Sequence, residues 1–332
     1  MRQEVDSMDY VQLGRSGLRV SQVCLGTMTF GREADVSQSH KIMDYFVERG
    51  GTFLDTANAY MTGRAEEVLG GWIGERKNRS SLIVATKVYG KMGPGPNDSG
   101  LGRAHVLDAV DASLRRLGTD YIDLYQIHRF DPDVPMEETL RALDDIVASG
   151  KVRYIGCSNL KGWHLQRFLE ISDDRLQRRF ASIQPIYNAL NRGIELEVLE
   201  ICENEGLGVI PYNPLAGGML TGKYKRGAEL PTGARLEANE IYHKRYYTDL
   251  TFDVVERFVA DAAARGVTPA QLALAWSLAE PRVTAPILGA RTIEQIKDSL
   301  EGINIRLNPE ERAKVPAIPP GRWVGIDPVY DR

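Results

Sequence analysis

Ile122-Asp-Leu-Tyr-Gln-Ile-His128 is a short apolar run with β character, and the segment 137–149 that follows it has helical periodicity. Gly150 stands just past that segment, where a capping glycine belongs. Val152-Arg-Tyr-Ile-Gly-Cys-Ser158 then repeats the first pattern. Both runs are almost continuously apolar. That marks parallel strands covered on both faces, not an antiparallel sheet with one wet face.

The unit recurs on either side. Val23–Met28, Thr52–Asp55, Leu82–Lys87, Ser182–Ile186, Gly208–Tyr212 and Ala285–Gly289 join the two runs above, making eight. Helices are expected between and after them at 37–49, 64–76, 103–117, 162–170, 195–205, 252–265 and 292–301, with an extra one at 269–279. Gly118 sits past the end of one, and Thr268-Pro269 puts a capping hydroxyl before a proline at the first helical position of another. No change of composition and no Pro/Ser-rich linker divides the series. The expectation is an α/β chain folded as one domain over 1–332, a single (β/α)8 TIM barrel at 23–305 with a tail at 306–332. A doubly wound sheet is the alternative. Residues 1–22 break the alternation and read as a hairpin around Gly14–Gly17, plugging the bottom of the barrel. Two long irregular stretches, 90–102 and 215–250, follow strands and should project from the top face. Gly93-Pro-Gly-Pro96 in the first is a constrained turn, over the mouth or simply on the surface.

Composition narrows the class. Among 332 residues, 41 Lys+Arg face 45 Asp+Glu for a net charge of −4, which argues against binding nucleic acid or a membrane surface by bulk electrostatics. The first ten residues are acidic and polar, unlike a secretory signal, and no apolar run nears the ~20 residues of a membrane helix. Cys24, Cys157 and Cys202 are an odd number without Cys-x-x-Cys spacing, and read as small core residues. A cytoplasmic protein is expected.

Barrel enzymes carry their chemistry at the C-terminal ends of strands. Here the second run ends at Asp55, with Tyr60 in the loop beyond, the third at Lys87 and the fourth at His128. A lone Asp at a strand end is usually a turn residue, and a lone His usually structural. A lysine ending an apolar run is harder to dismiss, because burying an unpaired ammonium costs several kcal/mol; Asp55 is its natural partner. Together the four suit one task. A phenol with a pKa near 10 is a poor acid at neutral pH, a neighbouring Lys87 ammonium lowers that pKa, and His128 donates a hydrogen bond to a carbonyl oxygen. That set stabilises an alkoxide forming from a carbonyl. No serine or cysteine elbow and no carboxylate or histidine cluster with metal spacing appears, so no metal is expected.

A reductase needs a hydride source, yet the usual dinucleotide fingerprint is missing: Gly100-Leu-Gly102-Arg-Ala-His105 fails at its third glycine. The later units offer another route. Ser158-Asn159 end the fifth strand, Gln184 lies in the sixth, and Tyr212 ends the seventh, either stacking on a flat ring or filling the core. Gly289-Ala-Arg291-Thr292 leads from the eighth strand into a helix whose free N–H groups suit a phosphate. Lys223 and Arg235 in the long loop either close over a diphosphate or are solvated surface charges.

In these motifs, taken in order, the chain resembles the aldo-keto reductases over nearly its whole length. Leu13-Gly-Arg-Ser-Gly-Leu-Arg-Val20 and Gly26-Thr-Met-Thr-Phe30 are similar to the family's opening, and Phe53-Leu-Asp-Thr-Ala-Asn-Ala-Tyr60 with Glu66-Glu67-Val-Leu-Gly70 to its second unit. Asp120–His128, Gly150–Asn159, Pro211-Tyr-Asn-Pro-Leu215 and Gly289-Ala-Arg291 with Gln295 continue the likeness. The chain looks like a bacterial-type member related to the potassium-channel β-subunit branch. The resemblance implies an NADPH-dependent enzyme that reduces an aldehyde or ketone to an alcohol, NADH serving less well. It makes Tyr60 the general acid, tuned by Lys87 and Asp55, with His128 orienting the carbonyl. It further assigns Gly26, Thr27, Met28 and Asp55 to the cofactor site. Ser158, Asn159 and Gln184 would hold the carboxamide, and Tyr212 would stack on the nicotinamide. Asn213, Pro214, Leu215 and Gly217 with Lys223 and Arg235 would grip the diphosphate. Gly289, Arg291, Gln295, Asp298 and Ser299 would take the adenosine end and its 2′-phosphate.

Two positions depart from the family pattern. Asp298-Ser299 stands where many members carry an acid–Asn pair, which bears on coenzyme strictness. Arg129 follows His128 where several carry an aromatic residue, and an arginine at the mouth would favour polar substrates. The expected partner is a small carbonyl compound, alongside Tyr60, His128 and Arg129; monomers and rings both occur in the family, so a homo-oligomer is open. Two other functions compete. One is an NADPH-binding regulatory subunit of the channel β type with little turnover. The other is a barrel isomerase or lyase that would not need Tyr60.

Overall fold

A computed structural model describes residues 8–322. Met1–Ser7 of the expected hairpin segment and Val324–Arg332 with Trp323 of the expected tail lie outside the described residues. Among those described, the chain opens with an antiparallel pair, β1 (Tyr10–Gln12) and β2 (Arg19–Ser21). Eight parallel strands follow: β3 (Cys24–Gly26), β4 (Phe53–Asp55), β5 (Ile83–Val88), β6 (Ile122–Ile127), β7 (Val152–Ser158), β8 (Ser182–Gln184), β9 (Gly208–Val209) and β10 (Ile287–Gly289). They pair in the order β10-β3-β4-β5-β6-β7-β8-β9. The ring closes beyond β9, where Tyr212 bridges Ile287 and the Pro211 carbonyl accepts from the Ile287 N–H. The run expected at Gly208–Tyr212 is therefore paired as a strand only at its first two residues, with Pro211 unable to donate to a ladder. The (β/α)8 architecture is present.

Helices α1 (Val36–Glu48), α2 (Arg64–Arg76), α3 (Arg103–Leu117), α4 (Met136–Ala148), α5 (Gly162–Asp174) and α6 (Val198–Glu205) alternate with β3 to β9. The stretch 215–250, expected to be irregular, holds α7 (Arg235–Ala238) and α8 (Glu240–Tyr246), the latter capped by the Asn239 side chain. Next come α9 (Asp249–Ala264) and α10 (Pro269–Leu278), before β10, and then α11 (Ile293–Leu300) and α12 (Pro309–Lys314). The caps behave as their residues dictate. Thr268 and Gln271 form a reciprocal capping box on α10, and Gly118 takes a left-handed conformation at the end of α3.

The β1–β2 hairpin closes the barrel floor. Leu13 and Val20 are fully buried in a small cluster inside the barrel with Phe53, Ala85 and Leu124. At the hairpin tip Gly14 has φ +56, and a Cβ there would collide with the carbonyl of Gly206, the residue that caps α6 just before β9. Only glycine permits that approach. Outside the barrel, a larger core joins strands to helices, and one buried polar link stands out within it. Glu66 of α2, fully buried, accepts from Thr86 of β5 and from Arg116 of α3, each at 2.6 Å.

Candidate active site

The floor of the site is built from the ends of β4, β5 and β6. Asp55, last in β4, is buried, and its Oδ2 accepts from the Lys87 ammonium at 2.5 Å. Its Oδ1 accepts side-chain amides from Gln184 at 2.8 Å and Gln126 at 3.1 Å. Lys87 is fully buried and has two further acceptors, the Thr56 carbonyl at 2.7 Å and the Tyr60 hydroxyl at 3.4 Å. An ammonium has three donors, and here all three are used. Because the Tyr60 oxygen accepts from Lys87, its own O–H is left to donate elsewhere.

Local backbone presents that phenol. Met61 and Thr62, directly after Tyr60, have φ of 50° and 52°, left-handed values that cost ~1 kcal/mol or more apiece in non-glycine residues. The turn swings the chain from the end of β4 into α2. Tyr60 meets the His128 ring edge to face, with centroids 5.9 Å apart. His128 extends the ladder by donating its N–H to the Val88 carbonyl, while Asn159 Nδ2 donates to the His128 carbonyl.

The electrostatics separate the roles. Burial, aided by the charges of Lys87 and Arg129, pushes His128 down to about 3, so its ring is neutral and offers one N–H. Burial works to lower the Lys87 pKa, but Asp55 and Tyr60 outweigh it and leave the ammonium held above its ordinary value. For Tyr60 the expectation from sequence needs correction. Lys87 does lower the phenol's pKa, yet burial is the larger effect and the net shift is upward.

A cavity of about 560 Å³ opens over this floor. Tyr60, His128 and Asp55 line it, as does every cofactor position expected from the sequence except Thr27. Thr27 is fully buried and donates through both backbone N–H and hydroxyl to the Asp55 carbonyl, so it ties β3 to β4. Ser158 and Asn159 meet around β7: the Ser158 hydroxyl donates to the Gln184 carbonyl at 2.6 Å, and Asn159 (φ 55) accepts from the Tyr212 hydroxyl at 2.9 Å. Asn213 receives the Gly217 N–H at 2.6 Å, bending the chain into a cradle where Gly217 and Gly218 both have positive φ. A Cβ on Gly217 would sit 2.6 Å from Tyr242. Lys223, Arg235 and Arg291 line the outer end; burial first, then the two arginines, lowers the Lys223 pKa. Asp298 accepts from Thr268 and Gln271 at 2.9 Å each, which joins it to the cap of α10.

Arg129 lies apart from the cavity lining. Its guanidinium stacks 4.3 Å over the Tyr89 ring and donates to the Tyr89 hydroxyl at 2.9 Å. Next to it Phe130 stacks on His164 at 3.9 Å. Sequence reading missed Gln126 and Tyr242. A glutamine inside an otherwise apolar strand run was a visible signal for the first, whereas Tyr242 lies on α8 within a stretch that showed no pattern. Among the described residues no group of His, Cys, Asp or Glu could hold a metal ion, and no helix is long and apolar enough to cross a membrane. The three cysteines are buried and unpaired, and burial raises the pKa of each thiol.

The donor set fits a dinucleotide: a three-cation cluster and a glycine cradle at one end, and aromatic and amide side chains at the other. Comparison with known proteins points the same way. The model of the Aldo/keto reductase family matches residues 22–319. The chain is 39% identical to the uncharacterized oxidoreductase YrpG of Bacillus subtilis (strain 168), across 91% of this chain and 93% of that protein. It is 38% identical to a probable voltage-gated potassium channel subunit beta of Arabidopsis thaliana, across 90% and 92%. It is 34% identical to the versiconal hemiacetal acetate reductase of Aspergillus parasiticus, across 92% and 95%.

Proposed function

The chain belongs to the aldo/keto reductase family of oxidoreductases, and from that premise we propose that it reduces a small aldehyde or ketone to an alcohol, using NADPH in preference to NADH and Tyr60 as proton donor. The observation that carries this reading is the Lys87 ammonium held between Asp55 and the Tyr60 hydroxyl at the floor of the cavity. NADPH, when bound, supplies the hydride. Tyr60 supplies the proton to the carbonyl oxygen, and the positive charge of Lys87 stabilises the phenolate left behind. Neutral His128 donates its N–H to the same oxygen and fixes the orientation of the carbonyl.

For the coenzyme, Ser158, Asn159 and Gln184 orient the carboxamide and Tyr212 covers the nicotinamide face. Lys223, Arg235 and the 213–217 turn hold the diphosphate. Arg291, with Gln295 and the start of α11, holds the 2′-phosphate, for which a guanidinium is well matched. Arg129, held on the Tyr89 ring and hydroxyl, does not line the cavity, so a preference for polar substrates requires it to leave that ring; an unchanged ranking of a substrate panel in Arg129→Ala removes it from substrate selection.

The experiment follows NADPH absorbance with a panel of aromatic aldehydes, diketones and oxidised sugars. Turnover should fall by roughly 10²–10⁴ in Tyr60→Phe. Equal turnover would remove Tyr60 as the acid. A second reading draws on the potassium-channel relative: a regulatory subunit that binds NADPH with little turnover. Tight NADPH binding with no reaction across the panel favours it.

A further inference from the structure

Glu33 lies in the turn after β3, and no role for it follows from the catalytic floor. Arg32 grips its carboxylate through two hydrogen bonds of 2.7 Å. The same carboxylate approaches two residues that line the cavity, with Oε1 3.9 Å from Arg235 and 3.7 Å from Arg291. These are ion-pair distances but not hydrogen bonds, so both guanidiniums keep N–H groups for other acceptors. Arg291 spends one on the Gly233 carbonyl at 2.7 Å, which brings the 233–235 segment, Arg291 and the 31–33 turn together. Glu33 does not itself line the cavity. It is a fixed negative charge set behind a cationic cluster.

We propose that Glu33 is a coenzyme-specificity residue, whose charge moderates how strongly the site prefers a dinucleotide bearing a terminal phosphate monoester over one with a free ribose hydroxyl. The inference rests on the reading of this cleft as a dinucleotide site. A phosphate monoester carries close to two negative charges near neutral pH. Arg291 and Arg235 attract it, and Glu33 cancels part of their field while repelling the phosphate directly. Groups shared by both dinucleotides, the diphosphate and the nicotinamide among them, feel Glu33 equally in either ligand. The ratio of the two affinities therefore isolates the monoester. Unit charges several ångströms apart near a protein surface interact strongly enough to move that ratio by about three- to tenfold.

The test titrates the full chain with NADPH and with NADH by calorimetry, in wild type, Glu33→Gln and Glu33→Asp. Glu33→Gln keeps the shape and removes the charge, and it should raise the NADPH-to-NADH affinity ratio about three- to tenfold at low salt, with the gain shrinking as salt is added. Glu33→Asp keeps the charge and should leave the ratio near wild type. An unchanged ratio in Glu33→Gln, or affinities for both dinucleotides falling in parallel, overturns the proposal and makes Glu33 a brace for the turn. Wild-type protein that binds neither dinucleotide overturns the reading of the cleft itself, and this inference with it.

Discussion

Lys87 stands 3.4 Å from the Tyr60 hydroxyl, near enough to stabilise a phenolate and buried so completely that the ammonium depends on Asp55 for its charge balance. Replacing it by an uncharged residue of similar length separates the two consequences. Lys87→Met should lower kcat by at least about 10²-fold, because the phenol loses its only adjacent cation among the described residues while burial continues to raise its pKa. It also leaves the Asp55 carboxylate buried without its counter-ion, which costs about 3–5 kcal/mol of stability. Single-turnover kinetics and a denaturant titration on the same sample check both.

The pH profile should show no acid-side loss of activity from His128 above about pH 5, because that ring is already neutral. Tyr60, raised above the usual phenol range, stays protonated across neutral and mildly alkaline pH. The alkaline fall in rate should therefore begin no lower than the ordinary tyrosine range. A rate that dropped steeply between pH 8 and 9 in a kcat profile would contradict this assignment.

Stability carries the opposite signature. The folded-state pKa of His128 is depressed to about 3 from a reference of 6.5, so its contribution is fully present above 6.5 and is lost progressively as pH falls toward 3. The full loss is on the order of 5 kcal/mol. His164, pushed down to about 4 by burial and Lys161, adds a smaller effect in the same direction. Urea titrations at pH 7 and pH 4.5 should show a smaller acid-induced loss in His128→Asn than in wild type.

Gly217→Ala should weaken dinucleotide binding by about tenfold with a modest effect on folding. Its φ of +66 strains any side chain, and the new Cβ would lie 2.6 Å from Tyr242. Relief requires the Tyr242 ring, which lines the cavity, to shift away from the cradle. Parallel calorimetric and thermal measurements distinguish this from general destabilisation.

Glu66→Ala should act on the fold alone. It strands Arg116 and Thr86 beside a new cavity and should cost about 2–4 kcal/mol, read as a lower melting temperature with kcat per folded molecule unchanged.

The strand–helix alternation, the hairpin and the convergence of Asp55, Tyr60, Lys87 and His128 were legible because each rests on local pattern. Apolar runs, cap residues such as Thr268, and polar residues at strand ends are all set within a few positions of the chain. Once parallel strands are closed into a barrel, their ends share one rim whatever the helices between them. Tertiary structure decided the rest. Burial, not Lys87, sets the direction of the Tyr60 shift, and burial is a property of everything packed around the phenol. Arg129 left the cavity because Tyr89, forty residues earlier, offered it a ring and a hydroxyl. Thr27 became a tie between strands and Tyr242 a wall of the cleft because of neighbours their own segments do not contain. Glu33 reaches Arg235 and Arg291 only because the first and last barrel strands, β3 and β10, pair side by side and bring the turns after them together. Coulomb and desolvation energies depend on distances in space, and for residues hundreds of positions apart those distances exist only in the folded chain.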